Sequence, residues 1–473
     1  MEESAGILSE MQNGERRGKK RENLSSLFLL AWSCAFLLAC PVAVLTGGEG
    51  STFLADYFRI LTSPSKLVTD YFAIGGLGST LLNAGLCGLF CNAVILLTKV
   101  TPDGRVVAGY FLVVAHCFYG LNLLNLLPPF FGVIFFCLVT KKKIAGEVPT
   151  AFFATSLGPF ISDFLFRYTL GDAYVFGEVN LTVTGVVLSL LFGIACGFVI
   201  PALLPGTTAM HRGFNLYKAG LAIGLLGTFV YALLYRTLGV AEPETLTRYN
   251  ELYAQKGFSH SRFMNLFFLL MFALSILLGF LLNGKSFAGY RNLWNSHGHN
   301  VDFSKEYGLP LCLVNFGIYG IFFLAYINFV VLLSEGVGFT GPTCGVVIAA
   351  MTFAFAGQTP KNVMPILLGY MLLWAGCAGV SLLCGREMTW SLSTQGYING
   401  LAFATGLCPF AGKYGWKIGT AAGFTDAIIC TSTAAMHGGF VLYNGGFAAG
   451  LTALILVPIL DYYHVREKHP DTV

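Results

Sequence analysis

One stretch of this chain occurs twice. Ala209–Leu225 returns as Ala435–Leu451 at a constant offset of 226, and Met, His, Gly, Phe, Leu and Tyr coincide without a gap. Other blocks repeat in the same order. Asn83–Gly88 returns as Asn315–Gly320 at offset 232, and Asp70 lands on Asp302. Phe118, Gly120, Asn125, Pro128 and Gly132 return as Phe355, Gly357, Asn362, Pro365 and Gly369 at offset 237. Phe153–Phe160 returns as Phe403–Phe410 at offset 250, and Gly193, Ala195, Gly197 and Phe198 return as Gly419, Ala421, Gly423 and Phe424 at offset 226. The chain reads as an internal duplication.

Composition says what is duplicated. Of 473 residues, 55% are hydrophobic and 11% are charged. Soluble domains carry about 25% charged residues, so this interior needs an apolar solvent. A helix of about 20 apolar residues crosses a bilayer. The expected fold is all-α, a polytopic transmembrane bundle of two repeats with about 12–14 membrane segments, short broken helices included. The expected division is a disordered cytoplasmic tail (1–23), repeat 1 (24–236), a linker (237–257), repeat 2 (258–461) and a cytoplasmic tail (462–473). Leu24–Thr46 is too long for the apolar core of a signal peptide. The 13 cysteines are scattered through apolar runs and read as buried small side chains. The net charge of +4 gives no reason to expect nucleic acid.

Charge suggests how the halves are related. Lys and Arg favour cytoplasmic loops. The first half has basic clusters at Arg16–Arg21 and Lys141–Lys143. Their counterparts are balanced: Arg248, Lys256 and Arg262 against Glu242, Glu244 and Glu251, and Arg386 against Glu387. The other loops reverse the bias. Glu49, Asp56, Arg59, Lys66 and Asp70 lean acidic, whereas Lys285, Arg291, Asp302, Lys305 and Glu306 lean basic; Asp172 and Glu178 answer to Lys413 and Lys417. A bias that changes sign between equivalent loops is what inverted repeats require. Inversion needs an odd number of crossings per half, seven if Thr150–Phe166 and Tyr397–Gly412 cross. Both termini are then expected in the cytoplasm, with the chain multi-pass in the plasma membrane.

The Gly-(x)4-Asn-x-x-Pro pattern in each half and the His-x-Gly-Phe-x-Leu-Tyr run resemble an uncharacterised family of bacterial integral membrane proteins with a two-repeat domain of unknown function. That resemblance spans almost the whole chain and implies no activity. Leu442–Leu451 is also faintly similar to a Gly/Tyr/Asn run of urea channels, but Lys218 stands where the first copy would need Asn.

Several residues are candidates for function. Asn125 and Asn362 sit beside Gly and Pro in mid-membrane stretches. Irregular backbone survives there only when protein or a watery cavity satisfies it. These two are expected to line a solute path, the alternative being a hydrogen bond at a kink. Thr155 with Pro159, and Thr405 with Pro409, lie in the shortest segments, where matched interruptions point to a midplane site or to plain kinks. His211 and His437 open the last helix of each half, as caps or as a polar relay. Asp426 stands in an apolar run, where a carboxylate costs about 2.5–3.5 kcal/mol. Its repeat counterpart is Ile200, and coupling to a proton or sodium ion is one reading of it. Asp163 is the weaker coupling candidate, because Arg167 at i+4 could pair with it; its counterpart is Lys413. Gly279–Ser286 matches a phosphate-loop pattern but trails a membrane helix, so it reads as chance.

The expected function is a transporter or channel for a small solute. The alternatives are an intramembrane enzyme or lipid-processing protein, which would use His211, His437 and Asp163, or a membrane scaffold. No catalytic residue, metal or cofactor is expected. The expected partners are the solute and the bilayer.

Overall fold

The computed structural model describes residues 2–47, 50–166, 180–243, 257–333, 338–386, 392 and 394–468, and all their regular structure is helical. The first half runs α1 (Glu2–Gly47), α2 (Phe53–Thr62), α3 (Tyr71–Thr98), α4 (Gly104–His116), α5 (Leu123–Thr140) and α6 (Ile144–Ala154). A 3-10 turn (Thr155–Leu157), α7 (Gly158–Phe166), α8 (Val183–His211) and α9 (Lys218–Tyr231) complete it. The second half runs α10 (Gly257–Leu282), the short α11 (Tyr290–Trp294) and α12 (Phe303–Glu306), α13 (Leu309–Leu333), α14 (Gly341–Ala350) and α15 (Pro360–Cys384). Then come α16 (Gln395–Ala404), a 3-10 turn (Thr405–Leu407), α17 (Cys408–Tyr414), α18 (Trp416–Met436) and α19 (Asn444–Tyr462).

Among the described residues, nine helices are long and apolar enough to cross a membrane. Their outer faces carry bare leucines such as Leu97, Leu332 and Leu382. This is a multi-pass membrane protein. One expectation changes. The charged lead was read as a disordered tail, but α1 already begins at Glu2; Glu, Lys, Arg and Met are good helix formers. Arg167, the possible partner of Asp163, lies outside the described residues, as do Glu49, Asp172, Glu178, Glu244, Arg248, Glu251, Lys256 and Glu387 from the charge comparison.

The broken helices come from the repeated Gly and Asn residues. α4 has 13 residues and α14 has 10. At 1.5 Å per residue they span about 20 and 15 Å, between two-thirds and half of a hydrocarbon core of about 30 Å. Each ends in a turn through Gly120 (φ +144°) or Gly357 (φ +128°), where L side chains are strained. Asn83 ties the first turn by donating to the carbonyls of Cys117 and Leu121 at 2.9 and 2.8 Å. Asn315 does the same to Ala354 and Gln358 at 2.7 and 2.8 Å. Capping boxes then start the next helices, Asn122 with Asn125 on α5 and Thr359 with Asn362 on α15.

The halves interlock through equivalent contacts. The Leu216 N–H donates to the Gly406 carbonyl at 2.9 Å, and the Leu442 N–H donates to the Ser156 carbonyl at 3.0 Å. Asp70 caps α3 and accepts from the Gly341 N–H at the start of α14, 2.9 Å away. Asp302 stands against Gly104 at the start of α4. The Leu67 N–H bonds to the Gly439 carbonyl at 2.8 Å, and the ring of His299, the counterpart of Leu67, meets the carbonyl of Arg212, one residue before the counterpart of Gly439, at 2.9 Å.

These contacts sort the loops into two groups. One holds Lys66, Asp70, Glu242, Gly341 and Gly439, with Lys66 bonded to Glu242 at 2.7 Å. The other holds Asp103, Arg212, Asp302, Lys305 and Asp461, with Lys305 bonded to Asp103 at 3.0 Å and Arg212 paired with Asp461. α3 has 28 residues and runs from one group towards the other.

Candidate functional site

Two cavities occupy equivalent places in the two halves. The first, about 530 Å³, is lined by Gly146, Pro149, Leu204, Pro205, Thr208 and Lys218, among others. The second, about 300 Å³, is lined by Gly396, Asn399, Cys430, Thr431, Ala434 and Asn444. These are the same positions, related by the offsets 250 (Gly146 and Pro149) and 226 (the other four) seen in the repeated blocks. Loop residues extend the match: Asn300 borders the first cavity and its counterpart Val68 the second. Each cavity therefore lies between α6 or α16 and the last two helices of that half, with a loop of the other half bordering it.

A layer of rings stands between them. Phe153 and Phe353 line the first cavity. Phe153 stacks on Tyr443 with centroids 6.1 Å apart, and Phe353 meets Tyr217 edge-on at 4.8 Å. Tyr217 and Tyr443 are repeat counterparts and touch each other at 5.8 Å. Phe403, the counterpart of Phe153, packs on both, at 4.9 and 5.6 Å. His116 at the end of α4 completes the layer, 5.3 Å from Tyr119 and 6.2 Å from Tyr443. On the far side Asn399 lies beside the Tyr119 hydroxyl and borders the second cavity.

This layer is buried, yet His116 Nε2 and the Tyr443 hydroxyl have no protein partner among the described residues, and the Tyr119 hydroxyl and the Asn399 amide have only each other close by. The Tyr217 hydroxyl differs, donating to the Ala349 carbonyl at 2.7 Å. A buried polar atom without a partner costs about 1–3 kcal/mol. Donors and acceptors gathered in this way can hydrogen-bond a small polar molecule.

The two cavities differ in charge. Arg105, Lys218, Lys305 and Asp302 line the first, whereas among the described residues no charged one lines the second. Lys305 is held by Asp103 at 3.0 Å and by Asp302 at 3.3 Å. Burial pushes the Asp103 carboxyl up, but the Lys305 hydrogen bond, the Val106 N–H and the Arg105 charge outweigh it and hold the group below its usual range. Among the described residues the Lys218 ammonium bonds only the Asn300 side chain, at 3.2 Å.

The expected site residues lie elsewhere. Asn125 bonds the Gly120 carbonyl and Ser162, and its oxygen accepts from the Asn122 N–H, all within 2.9 Å. Asn362 bonds the Gly357 carbonyl and the Thr359 N–H in the same way. Both amides are occupied in closing their turns. The hydroxyls of Thr155 and Thr405 return to the carbonyls of Phe152 and Ala402, and Thr405 also accepts from Gln358. Pro159 and Pro409 stand in the first turns of α7 and α17, where a missing N–H costs nothing. None of these six lines either cavity.

The two histidines are also tie points. Nδ1 of His211 accepts the Gly213 N–H, and Nδ1 of His437 accepts the Val441 N–H. Nε2 of His437 continues to Asn444 at 2.9 Å. Lys218 stands where Asn444 would be, and an ammonium cannot accept that proton. Asp426 is fully buried and accepts from Tyr370 at 2.5 Å and Thr452 at 3.0 Å. Asp163 accepts from Tyr235. Among the described residues, no three His, Cys, Asp or Glu side chains gather where they could hold a metal ion.

The cavity cations and the ring layer were missed from sequence. One signal was available: Lys218 puts a charge into the first copy where the second has Asn444, and it lines the first cavity.

A family described as protein of unknown function (DUF1576) matches residues 50–236 and 282–462, one region in each half. No curated protein and no solved structure matches the chain. The chain belongs to the DUF1576 family.

Proposed function

We propose that this member of a family of unknown function is a carrier for a small solute, built from inverted repeats and working by alternating access. One observation carries the reading: two cavities made from equivalent residues, with a ring layer between them. In an inverted duplication, equivalent cavities face opposite sides of the membrane. The two loop groups support inversion, because each joins a loop of one half to a non-equivalent loop of the other. On this reading the group of Arg212, Lys305 and Asp461 is cytoplasmic, both termini lie on that side, and the membrane is the plasma membrane. The solute crosses by exchanging one cavity for the other past Tyr217 and Tyr443. Asp426, held by Tyr370 and Thr452, is the coupling group if the carrier is driven by a proton or sodium gradient. The chemistry proposed is transport without bond making, and the partners are the solute and the bilayer.

The test is exchange in proteoliposomes with a panel of labelled small metabolites. A carrier gives uptake stimulated by the same solute loaded on the far side. Uptake insensitive to internal solute points to a channel, and no uptake above protein-free vesicles contradicts the reading.

A further inference from the structure

The charge difference between the cavities carries a step further. The cations of the first cavity have neutral counterparts. Lys218 answers to Asn444, Arg105 to Pro342 and Lys305 to Ala73. Three positive side chains were thus placed in one of two equivalent cavities. Of these, Lys305 is engaged by two carboxylates. Arg105 has one long contact to Asp103, at 3.5 Å. Lys218 has Asn300 and no carboxylate among the described residues. Arg105 is also close enough to act on the Lys218 charge by repulsion. Two cations facing one cavity repel each other unless an anion lies between them. Much of the remaining wall is apolar, with Leu204, Leu216, Phe153 and Phe353, beside Thr150, Thr208, Asn300 and the Asp302 that Lys305 engages. Such a wall suits a hydrocarbon body rather than a bare inorganic ion.

We propose that the first cavity binds a small organic anion, its carboxylate bridging Lys218 and Arg105 and its apolar part lying on Phe153, Leu204 and Phe353. This rests on the reading of that cavity as a solute site, but it is a statement about binding. The anionic group could also arrive on a lipid headgroup, since the same chemistry would recognise it.

The experiment is thermal unfolding of the full chain in nanodiscs of zwitterionic lipid. The probes are lactate, succinate, benzoate and inorganic phosphate, each against the sodium chloride control of equal ionic strength. At least one organic anion is expected to raise the midpoint saturably, and phosphate to raise it less. Lys218→Asn, which installs the residue of the other copy, is expected to weaken that anion tenfold or more. Arg105→Gln should weaken it too, and Arg291→Gln, outside the cavity, should not. The same series in nanodiscs containing phosphatidylglycerol separates the sources: a headgroup ligand raises the midpoint without added solute and loses that gain in Lys218→Asn. The proposal is overturned if no organic anion stabilises the protein, if Lys218→Asn binds as tightly as the parent, or if only the headgroup effect appears. Exchange of a neutral solute in proteoliposomes, with no anion binding, would keep the carrier and remove the anion.

Discussion

Gly220 and Gly446 are counterparts in the two halves, and they touch: a Cβ on Gly220 would stand 2.3 Å from the carbonyl carbon of Gly446. Equivalent residues can meet only near the axis that relates the copies. α9 and α19 therefore cross at that axis, one turn from the Tyr217–Tyr443 contact.

The crossing admits no side chain. Gly220→Ala is expected to cost about 1–3 kcal/mol, as overpacking does. Gly206→Ala, at a position with nothing within 4 Å, should be neutral. Thermal unfolding in detergent checks this; equal midpoints for the two variants would show that the helices do not cross so closely.

Asp426 separates shape from charge. Asp426→Ala leaves the Tyr370 and Thr452 hydroxyls without their acceptor, a cost of about 1–3 kcal/mol for each buried group. Asp426→Asn keeps one acceptor and the volume. It should insert and fold, and keep solute exchange, but lose uptake driven by a pH or sodium gradient. Gradient-driven uptake at the parent rate in the Asn variant would make Asp426 structural.

The duplication and the helical class were legible because apolar runs and spaced glycines dictate both. So was the break at Gly120 and Gly357, since Gly beside Asn and Pro rarely continues a helix. The duties of Asn125 and Asn362 were harder. Residue type marks an amide at mid-membrane, but only the three-residue spacing to Asn122 and Thr359 shows that it closes a capping box. The cavities could not be read, because each is assembled from three distant segments and a loop of the opposite half.

The Asp103–Lys305 pair predicts a pH window. The Asp103 carboxyl is held below its ordinary 3.8, so its contribution is present above that value and is lost as the pH falls through the lower folded value. Lys305 is held above its ordinary 10.5, chiefly by the Asp103 hydrogen bond, so its contribution is lost only as the pH rises beyond that. The midpoint of unfolding should therefore fall on acidification below 3.8, and Asp103→Asn should flatten that fall. An identical acid limb in the variant would count against the pair.

The ring layer is a barrier on this account. Tyr443→Ala removes its contacts with Phe153, Tyr217, Phe403 and His116. Vesicles carrying this variant should leak small solutes without trans-stimulation. Tightness equal to the parent would place the barrier elsewhere.

The most direct test asks which way each cavity opens. Thr208 lines the first cavity and its counterpart Ala434 the second. In a background without the native cysteines, single Thr208→Cys and Ala434→Cys variants are treated with a membrane-impermeant maleimide on intact cells and on inverted vesicles. The account predicts labelling at 208 only from the cytoplasmic side and at 434 only from outside. Labelling of both from one side would contradict it.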